Sequence, residues 1–226
     1  MPNPVPIRVA LDLVLITLGG HELHVALRRG KSGRWELPWA YVQADETLGV
    51  TAAKLARASI GSRPGWLQQV GALGTEKRHP AEAGLSVAYT GVVASGESRV
   101  EEAPSGNGSG MTWHALERLP ALAPRHRLAV EEATTSIRTR FDLAPIAFHL
   151  LPERFTLSEL QEVYELLLQR SIHKASFRRA LHGARLVAPV AEFRSEGRGR
   201  PAQLFKFSPR KRTESRRGVR FDFGEV

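Results

Sequence analysis

Residues 152–207 constrain the fold of this chain more than any other stretch. Thr156 is followed three residues later by Glu159, which is the spacing of a capping box at the start of a helix. Apolar residues then recur at helical spacing and predict one buried face, formed by Leu157, Leu160, Val163, Tyr164 and Leu167. After a short polar turn, residues 174–184 predict a second helix.

The second predicted helix has a small apolar face and a cationic face. At 100° per residue, one arc of this helix holds Phe177, Ala180, Leu181 and Ala184. The adjoining arc holds Lys174, Arg178, Arg179 and His182. This helix is therefore expected to pack through its apolar side and to present its cations to a partner.

Two predicted strands complete this stretch and form a hairpin with a basic tip. Residues 186–193 are typical of a strand, and residues 203–207 alternate as its returning partner. The glycine-rich tip between them carries Arg198 and Arg200. Helix, turn, basic helix and hairpin is the order of elements in a winged helix-turn-helix, in which the second helix enters the major groove of DNA.

Charge favours DNA binding over the alternative, a solvated basic hairpin on a small α+β domain. Residues 174–220 hold 14 basic and three acidic residues, whereas residues 1–140 hold 16 basic and 13 acidic ones. Such a concentration is the electrostatic footprint of a nucleic-acid binder. We expect Lys174, Arg178 and Arg179 in or beside the major groove. Arg198 and Arg200 would lie along phosphates or in a narrow minor groove.

Composition excludes several other classes of protein. The absence of cysteine excludes disulfides, thiol catalysis and cysteine-based zinc sites. No signal-peptide pattern opens the chain, and no apolar run approaches 18 residues. A cytoplasmic protein without a membrane partner is therefore expected.

The first half of the chain predicts a small α+β domain. Residues 7–18 form an apolar, β-branched run typical of a buried central strand, and Gly19 and Gly20 predict a hairpin turn after it. The further predicted elements are strands at 23–29, 35–42 (interrupted by Pro38), 66–75 and 85–94, a helix at 47–60 with Leu48, Ala52, Leu55 and Ala56 inward and Gly61 at its end, and a loop at 95–110.

A helix connects the two halves in this prediction. Residues 125–141 place Val130, Ala133, Ile137 and Phe141 on one side, which would pack within the chain or at a dimer interface. The predicted organisation is a first domain at 1–120, a linker helix at 121–142, a winged helix-turn-helix at 143–208 and a basic, disordered tail at 209–226.

The first domain resembles a Nudix domain, whose signature is G-x5-E-x7-R-E-U-x-E-E-x-G-U with U aliphatic. Laid on this chain, the signature glycines fall on Ala40 and Gly61 and the first glutamate falls on Glu46. The Arg-Glu pair falls on Lys54 and Leu55, and the Glu-Glu pair falls on Ala58 and Ser59. Nudix hydrolysis needs Mg²⁺ held by helical carboxylates, so the resemblance implies a Nudix fold without hydrolase activity.

Both halves together resemble the Nudix-related transcriptional regulators of NAD metabolism (NrtR-like proteins). This resemblance rests on residues 35–38, 78–80, 86–89, 145–148, 150–157, 159–161, 163–165, 177–179 and 199–201. It implies an α+β chain, with a Nudix-like α/β/α sandwich around a mixed sheet followed by the winged helix. It also implies a homodimeric repressor that releases a palindromic operator when ADP-ribose or a related metabolite binds, without a cofactor.

The candidate effector site comprises three possible stacking surfaces and two charged groups at the rim, namely Trp35, Trp39, Tyr41, Glu46 and Arg78. No metal site is expected, because His79, His114 and His126 show no metal-ligand spacing. Two alternatives stay open: a constitutive DNA-binding dimer whose Nudix domain has lost its ligand, and a residual Nudix hydrolase with a DNA-binding module.

Overall fold

The computed structural model describes residues 7–74, 78–96, 110–140, 145–195 and 201–208. The chain divides into two compact units, Met1–Ser136 and Ile137–Val226. Within the described residues, no helix is long and apolar enough to cross a membrane.

One mixed, seven-stranded sheet forms the framework of the first unit. Its strands are β1 (Val9–Gly19), β2 (Glu22–Arg29), β3 (Trp35–Glu36), β4 (Trp39–Tyr41), β5 (Trp66–Leu73), β6 (Leu85–Val93) and β7 (Met111–Ala115). β1 pairs in parallel with β6 and antiparallel with β2 and β4. β5 pairs antiparallel with β6, while β3 and β7 both pair antiparallel with β2. The predicted α+β class with a mixed sheet is confirmed.

Strand β1 lies in the middle of the sheet, between β2 and β6, and its side chains are buried on both faces as predicted. Gly20 after it has φ +61°, a left-handed conformation that glycine adopts without strain, and it turns the chain into β2 as predicted. Pro38 separates β3 from β4, and its carbonyl accepts a hydrogen bond of 2.9 Å from the Leu13 amide. The predicted interruption at Pro38 is confirmed.

Helix α1 (Leu48–Ile60) packs on the sheet. The Thr47 side chain caps its first turn by accepting a hydrogen bond from the Val50 amide, and Gly61 ends it in the left-handed conformation. Ala52 and Ala56 are buried against the leucines of β1, and Leu48 and Leu55 are partly buried beside them. The predicted inward face of this helix is confirmed.

Helix α2 (Pro124–Arg140) follows a short 3₁₀ helix at Leu116–Arg118. Val130, Ala133 and Ile137 are buried as predicted, and Phe141 lies outside the described residues. The boundary between the two units falls in the last turn of α2.

The second unit contains α3 (Ile146–Leu150), α4 (Leu157–Leu168), α5 (Lys174–Ala184) and a hairpin of β8 (Val187–Arg194) and β9 (Ala202–Phe207). The capping box of Thr156 and Glu159 is formed as predicted. A bridge between Phe155 and Phe205 joins the hairpin to the helices, and Phe148 stacks on Phe207 with ring centroids 4.5 Å apart. The predicted winged helix is confirmed.

Three elements within the described residues were missed, and several predicted boundaries differ from the structure. The predictions omitted β7, the 3₁₀ helix at Leu116–Arg118 and α3. Strand β1 begins at Val9, two residues later than predicted, and Ile7 is exposed. Strand β5 ends at Leu73, and most of the predicted loop at 95–110 lies outside the described residues.

Candidate functional site

Helix α5 presents a row of basic side chains on its surface. Lys174, Arg178 and His182 follow one another at intervals of four residues, Arg179 lies beside them, and all four residues are exposed. The opposite side is fixed in the core by Phe177, whose ring meets that of Tyr164 edge-on at 5.5 Å. Burial of one side therefore determines which side chains α5 presents, and these include the three predicted DNA contacts on this helix.

The α5 cations are not neutralised by acidic neighbours within the described part of the second unit. The ion pairs there join Arg154 to Glu192 and Arg194 to Glu159, and neither involves Lys174, Arg178 or Arg179. Their positive charge is therefore available to an external polyanion such as the DNA backbone.

The hairpin is fastened to the start of α4. Arg194 on β8 donates hydrogen bonds to Glu159 at 2.6 Å and to the Arg154 carbonyl at 3.2 Å, and Arg154 itself pairs with Glu192. Glu159 thus takes part in the capping box of α4 and also binds Arg194 of the hairpin. The predicted contacts at Arg198 and Arg200, and the basic tail at 209–226, lie outside the described residues and stay predictions.

Two of the predicted effector residues lie together on β4. Trp39 meets Tyr41 edge-on at 5.4 Å and the ring of His79 at 5.5 Å. The Tyr41 hydroxyl donates a hydrogen bond of 3.0 Å to the Ala81 carbonyl, in the loop that begins with Arg78. These contacts bring Trp39, Tyr41 and the 78–83 loop into one region of the first unit.

The other predicted effector residues have different surroundings. Trp35 packs edge-on against His114 at 4.4 Å, with the Arg29 guanidinium 3.9 Å from its ring centroid. Burial, together with the nearby Arg29 and His24, lowers the pKa of His114. Glu46 precedes α1, where it pairs with Lys54 and accepts a hydrogen bond of 3.4 Å from Thr51.

Arg78 points to solvent. Its exposed side chain pairs at 3.4 Å with Glu82, which is also exposed. The assignment of Trp35, Trp39, Tyr41, Glu46 and Arg78 to an effector site remains a prediction.

A buried polar cluster adjoins this region and was not found from the sequence. The cluster consists of Asp12 on β1, His79 in the 78–83 loop and His126 in the first turn of α2, and all three side chains are fully buried. Asp12 Oδ1 lies 2.8 Å from His79 Nε2 and 3.4 Å from His126 Nε2. The sequence held one signal, an aspartate inside the apolar run at 7–18, because a buried charge requires partners.

Backbone amides fix the protonation of both histidines. The Ala81 amide donates to His79 Nδ1 at 3.0 Å, and the Leu37 amide donates to His126 Nδ1 at 3.1 Å. An amide is always a donor, so each Nδ1 is an unprotonated acceptor and each ring carries its proton on Nε2. Both rings are therefore neutral, and both Nε2–H groups point at Asp12.

This arrangement stabilises an ionised aspartate in the core. Burial alone would raise the pKa of Asp12, but the hydrogen bonds and the electrostatic attraction of His126 and His79 together outweigh burial and hold that pKa well below its ordinary value. The cluster joins β1, the 78–83 loop and α2, which are distant in sequence. The Arg125 amide also donates to the Arg78 carbonyl at 3.3 Å, and the Arg125 guanidinium donates to the Ala83 carbonyl at 2.6 Å, so further hydrogen bonds link the loop to α2.

The cluster has the residue types of a metal site but not its hydrogen bonds. Asp12, His79 and His126 could each offer one ligand atom within a mutual distance of 4.8 Å. A histidine that binds metal through Nε2 carries its proton on Nδ1 and donates it to an acceptor. Here a backbone amide donor faces each Nδ1 instead. If both rings bound a metal through Nε2, each protonated Nδ1 would face an amide N–H, and both hydrogen bonds would be lost.

We therefore expect Zn²⁺ to leave the thermal unfolding midpoint of the wild-type protein unchanged. A site saturated at 100 times its Kd would instead add about 2.7 kcal/mol to the unfolding free energy. Thermal scans with EDTA and with added Zn²⁺ measure this, and the Asp12→Asn variant controls for zinc bound elsewhere. A zinc-dependent rise in the wild type that is absent from Asp12→Asn would contradict the assignment.

The fold and the exposed cations define a class, a two-unit protein with a mixed α+β domain and a winged helix. Comparison with known proteins makes this class more specific. Residues 147–207 match the NrtR DNA-binding winged helix domain. Over 214 residues, the chain is 26% identical to the ADPR responsive transcriptional repressor NtrR of Acinetobacter baylyi, covering 92% of this chain and 83% of that protein.

Solved structures agree with this match. The crystal structure of Shewanella oneidensis NrtR complexed with a 27mer DNA is 28% identical, with a TM-score of 0.77, and the match covers 88% of this chain and 93% of that one. A MutT/nudix family protein from Enterococcus faecalis, 17% identical with a TM-score of 0.69 over 92% of this chain and 89% of that one, shares the fold. These matches show a winged helix of the NrtR type at residues 147–207 and a similarity to NrtR proteins over most of the chain, so the resemblance inferred from its sequence is confirmed.

Proposed function

We propose that this protein is a transcriptional repressor that binds operator DNA through α5 and its hairpin and is released by ADP-ribose or a related metabolite. The exposed row of Lys174, Arg178 and Arg179 carries the DNA half of the proposal, since these cations have no acidic partner within the described residues. The effector half is supported by the similarity to an ADPR responsive repressor. No cofactor is required.

The proposed assembly is a homodimer on a palindromic operator. A two-fold dimer presents two copies of α5, and its half-sites would lie one helical turn or a multiple of a turn apart. Molar mass from analytical ultracentrifugation, measured with and without the duplex, tests this assembly.

We further propose that the first unit does not hydrolyse its ligand. Leu55, Ala58 and Ser59 of α1 stand where the Nudix signature has carboxylates, and the Ser59 hydroxyl donates to the Leu55 carbonyl at 2.8 Å. The remaining acid, Glu46, pairs with Lys54. Without helical carboxylates, Mg²⁺ has no set of oxygen ligands on this helix.

A second candidate, constitutive DNA binding, is favoured by one observation. Trp39 is packed against both Tyr41 and His79, so an effector must fit beside these rings or displace one of them. The two candidates differ in a single measurable property, the response of the protein–DNA complex to ADP-ribose.

We expect ADP-ribose to lower operator affinity by about 5- to 150-fold, the usual range of allosteric coupling. Fluorescence anisotropy measures this on a duplex selected by the wild-type protein from a random-sequence library. Arg78→Ala should require more ADP-ribose for the same release because it removes a cation from the predicted site. The control is Arg118→Ala, a substitution of an exposed arginine that pairs with Glu22.

The possible results distinguish the candidates. Failure of the wild type to select any duplex contradicts the repressor proposal. Tight binding that no concentration of ADP-ribose weakens favours the constitutive dimer. Magnesium-dependent formation of AMP from ADP-ribose contradicts the proposal that the first unit is not an enzyme.

A further inference from the structure

Two side chains of α4 hold the backbone of the turn before α5. Gln161 Nε2 donates hydrogen bonds to the Ile172 carbonyl at 2.9 Å and to Glu165 Oε1 at 3.0 Å. The same Glu165 oxygen accepts a hydrogen bond of 2.7 Å from the Ile172 amide. The two partners of the Gln161 amide, a carboxylate oxygen and a carbonyl oxygen, can only accept hydrogen bonds. The NH₂ group of Gln161, not its oxygen, must therefore face them. Both backbone polar groups of Ile172 are therefore bonded to α4.

Before Ile172, the amides of Gln169 and Arg170 both donate to the Glu165 carbonyl. Gln169, the C-cap residue of α4, is a non-glycine residue in the left-handed conformation at φ 55°, and the N-cap residue of α5, His173, makes no side-chain capping hydrogen bond. Ile172 is buried immediately before this N-cap. Its bonds to Gln161 and Glu165 therefore fix the point at which the chain enters α5.

We propose that Gln161 and Glu165 are positioning residues for operator recognition, a role that rests on the proposed binding of DNA by α5. They do not touch DNA. They set the position of the first turn of α5 on α4, and that position decides where Lys174, Arg178 and Arg179 meet the base edges. Gln161 and Glu165, which lie within the resembling stretches 159–161 and 163–165, thereby acquire a physical role.

The position of α5 matters more for the recognition of bases than for contacts with phosphates. A bidentate contact from arginine to guanine requires hydrogen-bond geometry at both atoms, whereas contacts with phosphates supply affinity without sequence information. A displaced α5 should therefore lose operator affinity and keep most of its affinity for unrelated DNA. A general loss of folding or of charge would weaken both.

The test uses substitutions that separate hydrogen bonding from shape and helix propensity. Gln161→Met and Glu165→Met remove the polar atoms but keep an unbranched side chain of good helix propensity. Glu165→Gln keeps an acceptor oxygen for the Ile172 amide and for Gln161. Glu162→Gln is the matched control on the exposed side of α4. The full-length proteins are compared on the selected duplex and on a scrambled duplex of equal length.

We expect each Met variant to lose about tenfold in operator affinity, comparable to one mismatched base pair, with less than twofold change on the scrambled duplex. Glu165→Gln and Glu162→Gln should stay within about twofold of wild type on both duplexes. Circular dichroism at the assay temperature establishes that each variant is folded. If one Met variant unfolds, the other Met variant and Glu165→Gln still provide the comparison.

Three results would overturn the proposal. One is a folded Met variant that binds operator like wild type. Another is a Glu165→Gln variant as defective as Glu165→Met, which would assign the effect to charge. The third is equal weakening on both duplexes. A wild type that binds no duplex specifically would instead contradict the proposed function itself, so the two failures are distinguishable.

Discussion

Replacing both Arg178 and Arg179 with alanine is expected to remove operator recognition while leaving the second unit folded. An arginine that reads a guanine edge contributes about 1–3 kcal/mol, so the double variant should lose about 2–6 kcal/mol of operator binding free energy. Both side chains are exposed, and the opposite side of α5 is held by Phe177 and Leu181. Anisotropy titrations at one fixed salt concentration measure the loss.

A matched control separates recognition from net charge. Arg118→Ala with Arg127→Ala also removes two exposed arginines, but from the first unit, where they pair with Glu22 and Glu131. This control should bind operator within about twofold of wild type if the arginines of α5 act locally, because the two removed arginines belong to the other unit and already pair with carboxylates. Equal losses in the two double variants would show that affinity depends on total charge and would contradict docking through α5.

The winged helix could be predicted because its signals are local in sequence. The Thr156–Glu159 capping box, the helical spacing of α4 and α5 and the alternation of β9 each lie within a dozen residues. The structure forms all of them. The omission of α3 and β7 has physical causes. Helix α3 has only five residues, too few for a periodic pattern, and β7 is a short strand defined by its pairing with β2 across some 90 residues.

A candidate site could be predicted only where its residues are close together in the sequence. The α5 cations share one helix, so periodicity alone places them together. Asp12, His79 and His126 are separated by 67 and 47 residues, and only the folded sheet, loop and helix bring them together. Residue type also could not distinguish Trp35 from Trp39, because their different surroundings depend on which strand each one joins.

Asp12→Ala is expected to destabilise the first unit by about 2–6 kcal/mol, because it leaves two buried N–H groups without an acceptor at a cost of about 1–3 kcal/mol each. The substitution leaves the Nε2–H groups of His79 and His126 without their carboxylate acceptor in a fully buried site. Neither ring can reverse its tautomer to compensate, because the Ala81 and Leu37 amides already occupy both Nδ1 atoms. Urea unfolding, monitored by the tryptophans of the first unit, measures the change.

The pH dependence of the same variant series tests the cause of this stabilisation. The pKa of Asp12 is lowered in the folded protein from its ordinary value of 3.8, so the ionised carboxylate stabilises the fold above that pH, and this contribution is lost as pH falls toward the folded pKa. Asp12→Asn keeps one acceptor oxygen but no charge. The stability difference between wild type and Asp12→Asn should therefore be largest near neutral pH and shrink below about pH 4.

Asp45→Asn, at an exposed site before α1, should show no such difference. A wild-type advantage that persists unchanged at low pH would mean that side-chain shape, not the ionised carboxylate, stabilises this core.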